Sequence, residues 1–115
     1  MIVFGAIITN IGGYFNPDSS SFLCPVTGVY YFSLTVANVD EQDNIFAHIM
    51  KADESLVTPM ATRFGTYNQG SASVVTVCER GQSVWAQNVI DSNAHMHGDP
   101  EYRYSTFSGF LIHVL

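Results

Sequence analysis

The stretch Gly28-Val29-Tyr30-Tyr31-Phe32-Ser33-Leu34-Thr35-Val36-Ala37 decides how the rest of the chain reads. Its large apolar residues recur with period two, the repeat of a strand whose successive side chains leave opposite faces. Tyr30, Phe32, Leu34 and Val36 share one face, which reads as core. Val29, Tyr31, Ser33, Thr35 and Ala37 occupy the other, and that face carries no charge. A strand with one face in water alternates apolar with clearly polar residues. This one reads as covered on both sides.

To either side, segments 2–9, 20–26, 45–53, 56–64, 71–79, 82–90 and 103–115 are rich in Val, Ile, Phe, Tyr and Thr. Turn formers separate them: Gly12-Gly13, Asn16-Pro17-Asp18, the acidic run 40–44, Asn68-Gln69-Gly70 and Arg80-Gly81. Helix signals are almost absent. Short strands at this spacing predict an all-β antiparallel sandwich or barrel. The last segment repeats the double-sided pattern, with Phe107, Leu111 and Leu115 opposed to Phe110, Ile112 and Val114. Two such strands predict a sheet that packs on a partner sheet and also on another subunit. No internal repeat, low-complexity tract or linker interrupts residues 1–115, which read as a single domain.

Composition narrows the function classes. Apolar residues make up 47% of the chain and charged ones 12%, a balance that forms a core and excludes a disordered tail. Ten acidic residues against four basic ones give a formal charge of −6, which repels nucleic acid and anionic lipid. No apolar run approaches the roughly 20 residues of a membrane-spanning helix. Met1-Ile2-Val3-Phe4 lacks the basic flank of a secretory leader. Cys24 and Cys78 each stand in an apolar, strand-like run. The reading favours two buried free thiols, since free Cys is among the most buried residue types, with a single bridge across the sandwich as the alternative.

Phe4, Asn10, Phe15, Phe22, Gly28, Tyr30 and Phe32 form a spaced set, joined near the end by Ser105-Thr106-Phe107-Ser108-Gly109-Phe110. This pattern resembles the globular domain of the C1q and tumour-necrosis-factor-like superfamily over nearly the whole chain. Leu34 departs from it, standing where the family places an aromatic. The resemblance implies a ten-stranded antiparallel jelly-roll sandwich, normally a tight homotrimer, in secreted, extracellular recognition and signalling proteins. Within the set, Phe4, Phe15, Phe22, Tyr30, Phe32, Phe107 and Phe110 read as core or interface aromatics. Gly28 and Gly109 read as positions where a side chain would clash or the backbone turns.

The richest polar constellation runs from Asp91 to Arg103, a loop that the resemblance places between the last two strands. Asp91, Asn93, Asp99, Tyr102 and Arg103 offer donors, acceptors and an aromatic surface for a hydroxyl-rich or charged ligand. His95 and His97 would point the same way in an extended segment, yet no Cys or third spaced His completes a zinc geometry, so no metal is assigned. Some relatives hold calcium in the loop matching residues 62–70, but that stretch has no Asp or Glu here. A calcium ion usually takes six to eight oxygens, carboxylates among them. Asp40, Glu41 and Asp43 are left as the alternative calcium donors.

No Gly-x-Ser-x-Gly elbow, phosphate loop or His-Glu-x-x-His helix occurs, so the reading is non-enzymatic. His48, in the apolar run 45–53, reads as a packed or edge histidine. The function expected is lectin-like pattern recognition of the innate-immune type, a homotrimer binding carbohydrate on microbial or other extracellular surfaces. A trimeric signalling or adhesive ligand for a protein receptor, like the cerebellin and adipokine-type relatives, is the first alternative. An extracellular matrix assembly protein is the second.

Overall fold

A computed structural model describes residues 10–38, 45–61, 68–88 and 105–115. Within them a 3-10 turn, Ile11–Gly13, precedes nine strands: β1 (Phe15–Asn16), β2 (Ser21–Leu23), β3 (Gly28–Asn38), β4 (Ile45–Lys51), β5 (Glu54–Val57), β6 (Met60–Ala61), β7 (Asn68–Cys78), β8 (Ser83–Asn88) and β9 (Thr106–Val114). They form two antiparallel sheets, one of six strands in the order β1-β2-β8-β4-β5 with β6 also on β4, the other in the order β7-β3-β9. The expected jelly-roll sandwich is present.

The core lies between the sheets where the alternation in 28–37 places it. Tyr30, Phe32, Leu34 and Val36 are each 0% exposed. Ile49, Val84 and Ala86 meet them from the six-stranded sheet. Aromatic rings organise the middle. Tyr30 and Phe107 stack on either side of Phe32, with centroids 6.0 and 6.1 Å away, and Phe22 meets Phe32 edge-on at 5.3 Å. Such ring arrangements contribute about 0.5–1.5 kcal/mol each beyond the area they bury. The buried Tyr30 hydroxyl keeps a partner, donating to the Val26 carbonyl at 2.6 Å.

The spaced motif acquires specific jobs here. Asn10 clips Phe15 in place: its Nδ2 donates to the Phe15 carbonyl at 2.7 Å, and its Oδ1 accepts from the Phe15 N–H at 3.1 Å. Gly28 is pressed by neighbouring backbone, since a Cβ there would lie 2.5 Å from the His113 carbonyl oxygen. Gly109 stands beneath the Phe32 ring. Phe4 lies outside the described residues.

Several expectations change. Cys24 and Cys78 are not free thiols but form a disulfide, with Cα atoms 6.5 Å apart. Cys24 leaves β2 in one sheet and Cys78 ends β7 in the other, so the sandwich itself brings together two residues that are 54 positions apart. Asn68-Gln69-Gly70 is not a turn but the start of β7. Its glycine serves close approach, because a Cβ on Gly70 would collide with the Met60 carbonyl. The segment expected over 56–64 divides into β5 and β6, with Pro59 between them lending its carbonyl to the Ala47 N–H at 3.2 Å. The alternation of the last strand also breaks. Tyr30 pairs with Leu111 but Val29 with His113, so Ile112 is an extra residue and the faces exchange beyond it.

Candidate functional site: the outer face of the three-stranded sheet

The outward positions of β3 are Val29, Tyr31, Ser33 and Thr35, and the strand registers extend each into a rung across three strands. The first rung is Val77–Val29–His113 and the second Val75–Tyr31–Phe110. Next come Ser73–Ser33–Ser108 and Ser71–Thr35–Thr106. The face is therefore divided, apolar at the end near Gly28 and hydroxyl-bearing towards Asn38.

The two halves differ in how well the chain satisfies them alone. In the apolar half, Val75 is 60% exposed and Phe110 55%, while Ile112 at the bulge is 50% exposed. Tyr31 leans on Phe110 with ring centroids 5.0 Å apart, forming one aromatic ridge. In the hydroxyl half, Thr35 Oγ1 and Ser71 Oγ are hydrogen-bonded at 2.6 Å. Contiguous apolar surface of this kind marks an interaction site. No Lys, Arg, Asp or Glu stands on the rungs, and His113 on the first rung is the one polar side chain beside Val77, Val29, Val75, Tyr31 and Phe110, so the middle of this half suits burial against a second apolar surface. The outward positions of β3 and the apolar Phe110 belong to this face as the sequence suggested, whereas Ile112 is the unpaired residue of the bulge. Val75 and Val77 were missed, although Ser71, Ser73, Val75 and Val77 alternate in the same way and signal the same outward side.

The polar candidates Asp91, Asn93, His95, His97, Asp99, Tyr102 and Arg103 all lie outside the described residues, as do Asp40, Glu41 and Asp43. Of the 62–70 stretch, Asn68 to Gly70 are paired as strand with Val36 to Asn38. Among the described residues no group of three or more His, Cys, Asp or Glu could hold a metal ion. His48 stands on a central strand rather than at an edge, half-buried on the side opposite the core residues Ala47 and Ile49. Its Nδ1 lies 2.6 Å from Thr58 Oγ1 and 2.8 Å from Ser55 Oγ. Lys51 ties the sheets together by donating to the Val77 carbonyl at 2.8 Å. No helix among the described residues is long and apolar enough to cross a membrane.

Comparison with known proteins places this geometry. The family described as C1q domain matches residues 1–112. Human complement C1q tumor necrosis factor-related protein 3 is 29% identical over 112 residues, covering 96% of this chain and 44% of that protein. Caprin-2 of Danio rerio is 31% identical over 114 residues, 97% of this chain but 12% of its own length. The chain thus spans less than half of these relatives. Among solved structures, the globular domain of zebrafish complement 1qA protein superposes with a TM-score of 0.72 at 18% identity, covering 94% of this chain and 80% of that one. Murine APRIL superposes with a TM-score of 0.63 at 19% identity, covering 83% and 70%. At these identities the structures speak to the fold, which they share.

Proposed function

Because the chain belongs to the C1q domain family, we propose that residues 1–115 form one secreted, non-enzymatic recognition domain that works as a homotrimer and binds patterned extracellular surfaces. The observation that carries the assembly is the apolar half-face around Val75, Tyr31 and Phe110, exposed in one chain and free of charge. A second copy of the chain is its occupant, in keeping with the trimer that the family resemblance implies. The disulfide supports an extracellular setting, since such bridges persist in oxidising compartments.

Recognition itself is assigned to the loop holding Asp91, Asn93, His95, His97, Asp99, Tyr102 and Arg103, with carbohydrate of microbial surfaces as the ligand class. One such loop binds weakly. Three copies on one trimer gain about 10²- to 10⁴-fold on a repetitive surface through effective concentration. Sedimentation together with a glycan array and whole bacteria tests the proposal: a trimer that binds supports it, and an intact trimer that binds neither array nor cells refutes it.

A second reading is a signalling or adhesive ligand for a protein receptor. It is favoured by the tumor necrosis factor-related relatives and by the fold shared with murine APRIL. Cross-linking to cell-surface proteins separates the two, because a saturable protein partner with indifference to glycans selects the second.

A further inference from the structure

The sandwich carries a second candidate site on the other sheet, built at the β1–β2 edge of the six-stranded sheet. A cleft of about 320 Å³ opens there, lined by Tyr14, Asn16, Ser19, Ser21, Leu23 and Ser83 together with Gly13. We propose that this cleft binds a single neutral sugar ring, or an equally compact uncharged polyol, presented by the surfaces the domain recognises. The inference rests on the recognition reading above and adds a site to it.

Its lining has the chemistry of such a ligand. Tyr14 is 44% exposed and Leu23 50%, giving an aromatic and an aliphatic wall for the C–H faces of a sugar. Around them stand three serine hydroxyls and an asparagine amide, each able to bond a ligand hydroxyl. Ser19 Oγ and Ser21 Oγ are 2.8 Å apart, so one donates to the other and the pair presents its remaining donor and lone pairs together. Asn16 Oδ1 accepts from the Asp18 N–H at 2.9 Å, which orients the amide with Nδ2 left to donate. No lining residue is charged, so the cleft offers nothing to select a sulfated or phosphorylated ligand. The cleft is partly open to solvent, so a single ring would rest on its lining rather than be enclosed.

The local backbone explains why the walls stand where they do. Gly12 and Gly13 both take positive φ, 84° and 71°, so the chain reverses at once into Tyr14. A Cβ on Gly12 would lie 2.7 Å from the Tyr14 ring, and its absence lets the ring fold over the turn. Tyr14 also meets Phe22 edge-on at 6.4 Å, and its carbonyl accepts from the Leu23 N–H at 2.8 Å. The site is thus braced on the core.

The chain's one tryptophan supplies a probe, because Trp85 pairs directly with Ser21 in the β2–β8 ladder. Tryptophan emission is followed while glucose, galactose and N-acetylglucosamine are titrated into the trimer, alongside a glycan array. The expected result is a saturable spectral change for at least one neutral sugar. Tyr14→Ala should weaken it about tenfold, as should Ser83→Arg, which fills the cleft with a charged chain, both at unchanged far-ultraviolet circular dichroism. Native-like affinity for neutral sugars in both folded variants overturns the cleft while leaving the recognition reading intact. Exclusive binding of anionic glycans does the same. Failure of the native trimer to bind any glycan or bacterial surface overturns both.

Discussion

Gly109 lies directly opposite Phe32 in the β3–β9 ladder, and the Phe32 ring occupies the space into which a Gly109 side chain would project. A Cβ there would stand 2.5 Å from Phe32 Cδ1 and 2.6 Å from Cε1. The glycine of the C-terminal motif and the aromatic of the N-terminal one are therefore two halves of one packing solution. Gly109→Ala should cost about 1–3 kcal/mol by overpacking, read as a lower denaturation midpoint in urea. Trimming the ring in Gly109→Ala/Phe32→Leu should lose less than the two single substitutions together, as expected for residues in contact.

The Asn10–Phe15 clip predicts a graded series. Asn10→Ala removes both bonds and should cost about 1–3 kcal/mol, since a typical hydrogen bond contributes about 0.5–1.5 kcal/mol. Asn10→Asp keeps the acceptor for the Phe15 N–H but turns an oxygen towards the Phe15 carbonyl, so its loss of stability should be intermediate. Equilibrium unfolding of the three proteins gives the order directly.

Loss of the disulfide should be costly. Closing a loop between residues 54 apart is worth about 4 kcal/mol in the chain-entropy account, so Cys24→Ser/Cys78→Ser should lower Tm by about 15–20 °C. Alkylation of the unfolded, unreduced protein should modify neither cysteine. Modification of both would show free thiols and restore the first reading of the sequence.

The assembly is tested where the apolar face is most open. Val75→Glu replaces a residue 60% exposed in a single chain, so the monomer should keep its fold. In the trimer the new carboxylate is buried unpaired, and sedimentation should show dissociation with unchanged far-ultraviolet circular dichroism. Thr106→Glu, at the hydroxyl end of the same face, locates how far the interface runs. A Val75→Glu protein that remains trimeric excludes this half-face from the interface.

The division between what the sequence disclosed and what it did not follows the range of the forces involved. Tyr30, Phe32, Leu34 and Val36 were legible as core because a period of two is a local property of a strand. Gly70 was misread as a turn residue because what it accommodates, the Met60 carbonyl, belongs to another strand. Ile112 looked like one more alternating residue because the bulge exists only in register with Val29 and Tyr30. The cysteines carried no pairing signal, since apolar flanks suit a buried thiol and a buried bridge equally. For the site, the uncharged second face of β3 was visible in advance. The cleft was not, because Tyr14, Ser21 and Ser83 come together only when β2 pairs with β8.

The covalent link between Cys24 and Cys78 also divides the chain by what happens after proteolysis. A single cut anywhere between them opens the ring without parting it, and both pieces stay tethered until a reductant arrives. A cut in the polar segment 91–103 falls outside the ring. It releases β9, which carries Phe107, Gly109 and the Phe110 ridge and pairs with β3 through a non-covalent ladder. One nick in segment 91–103 thus threatens both the core and the apolar outer face of the three-stranded sheet, whereas nicks within the ring are forgiven.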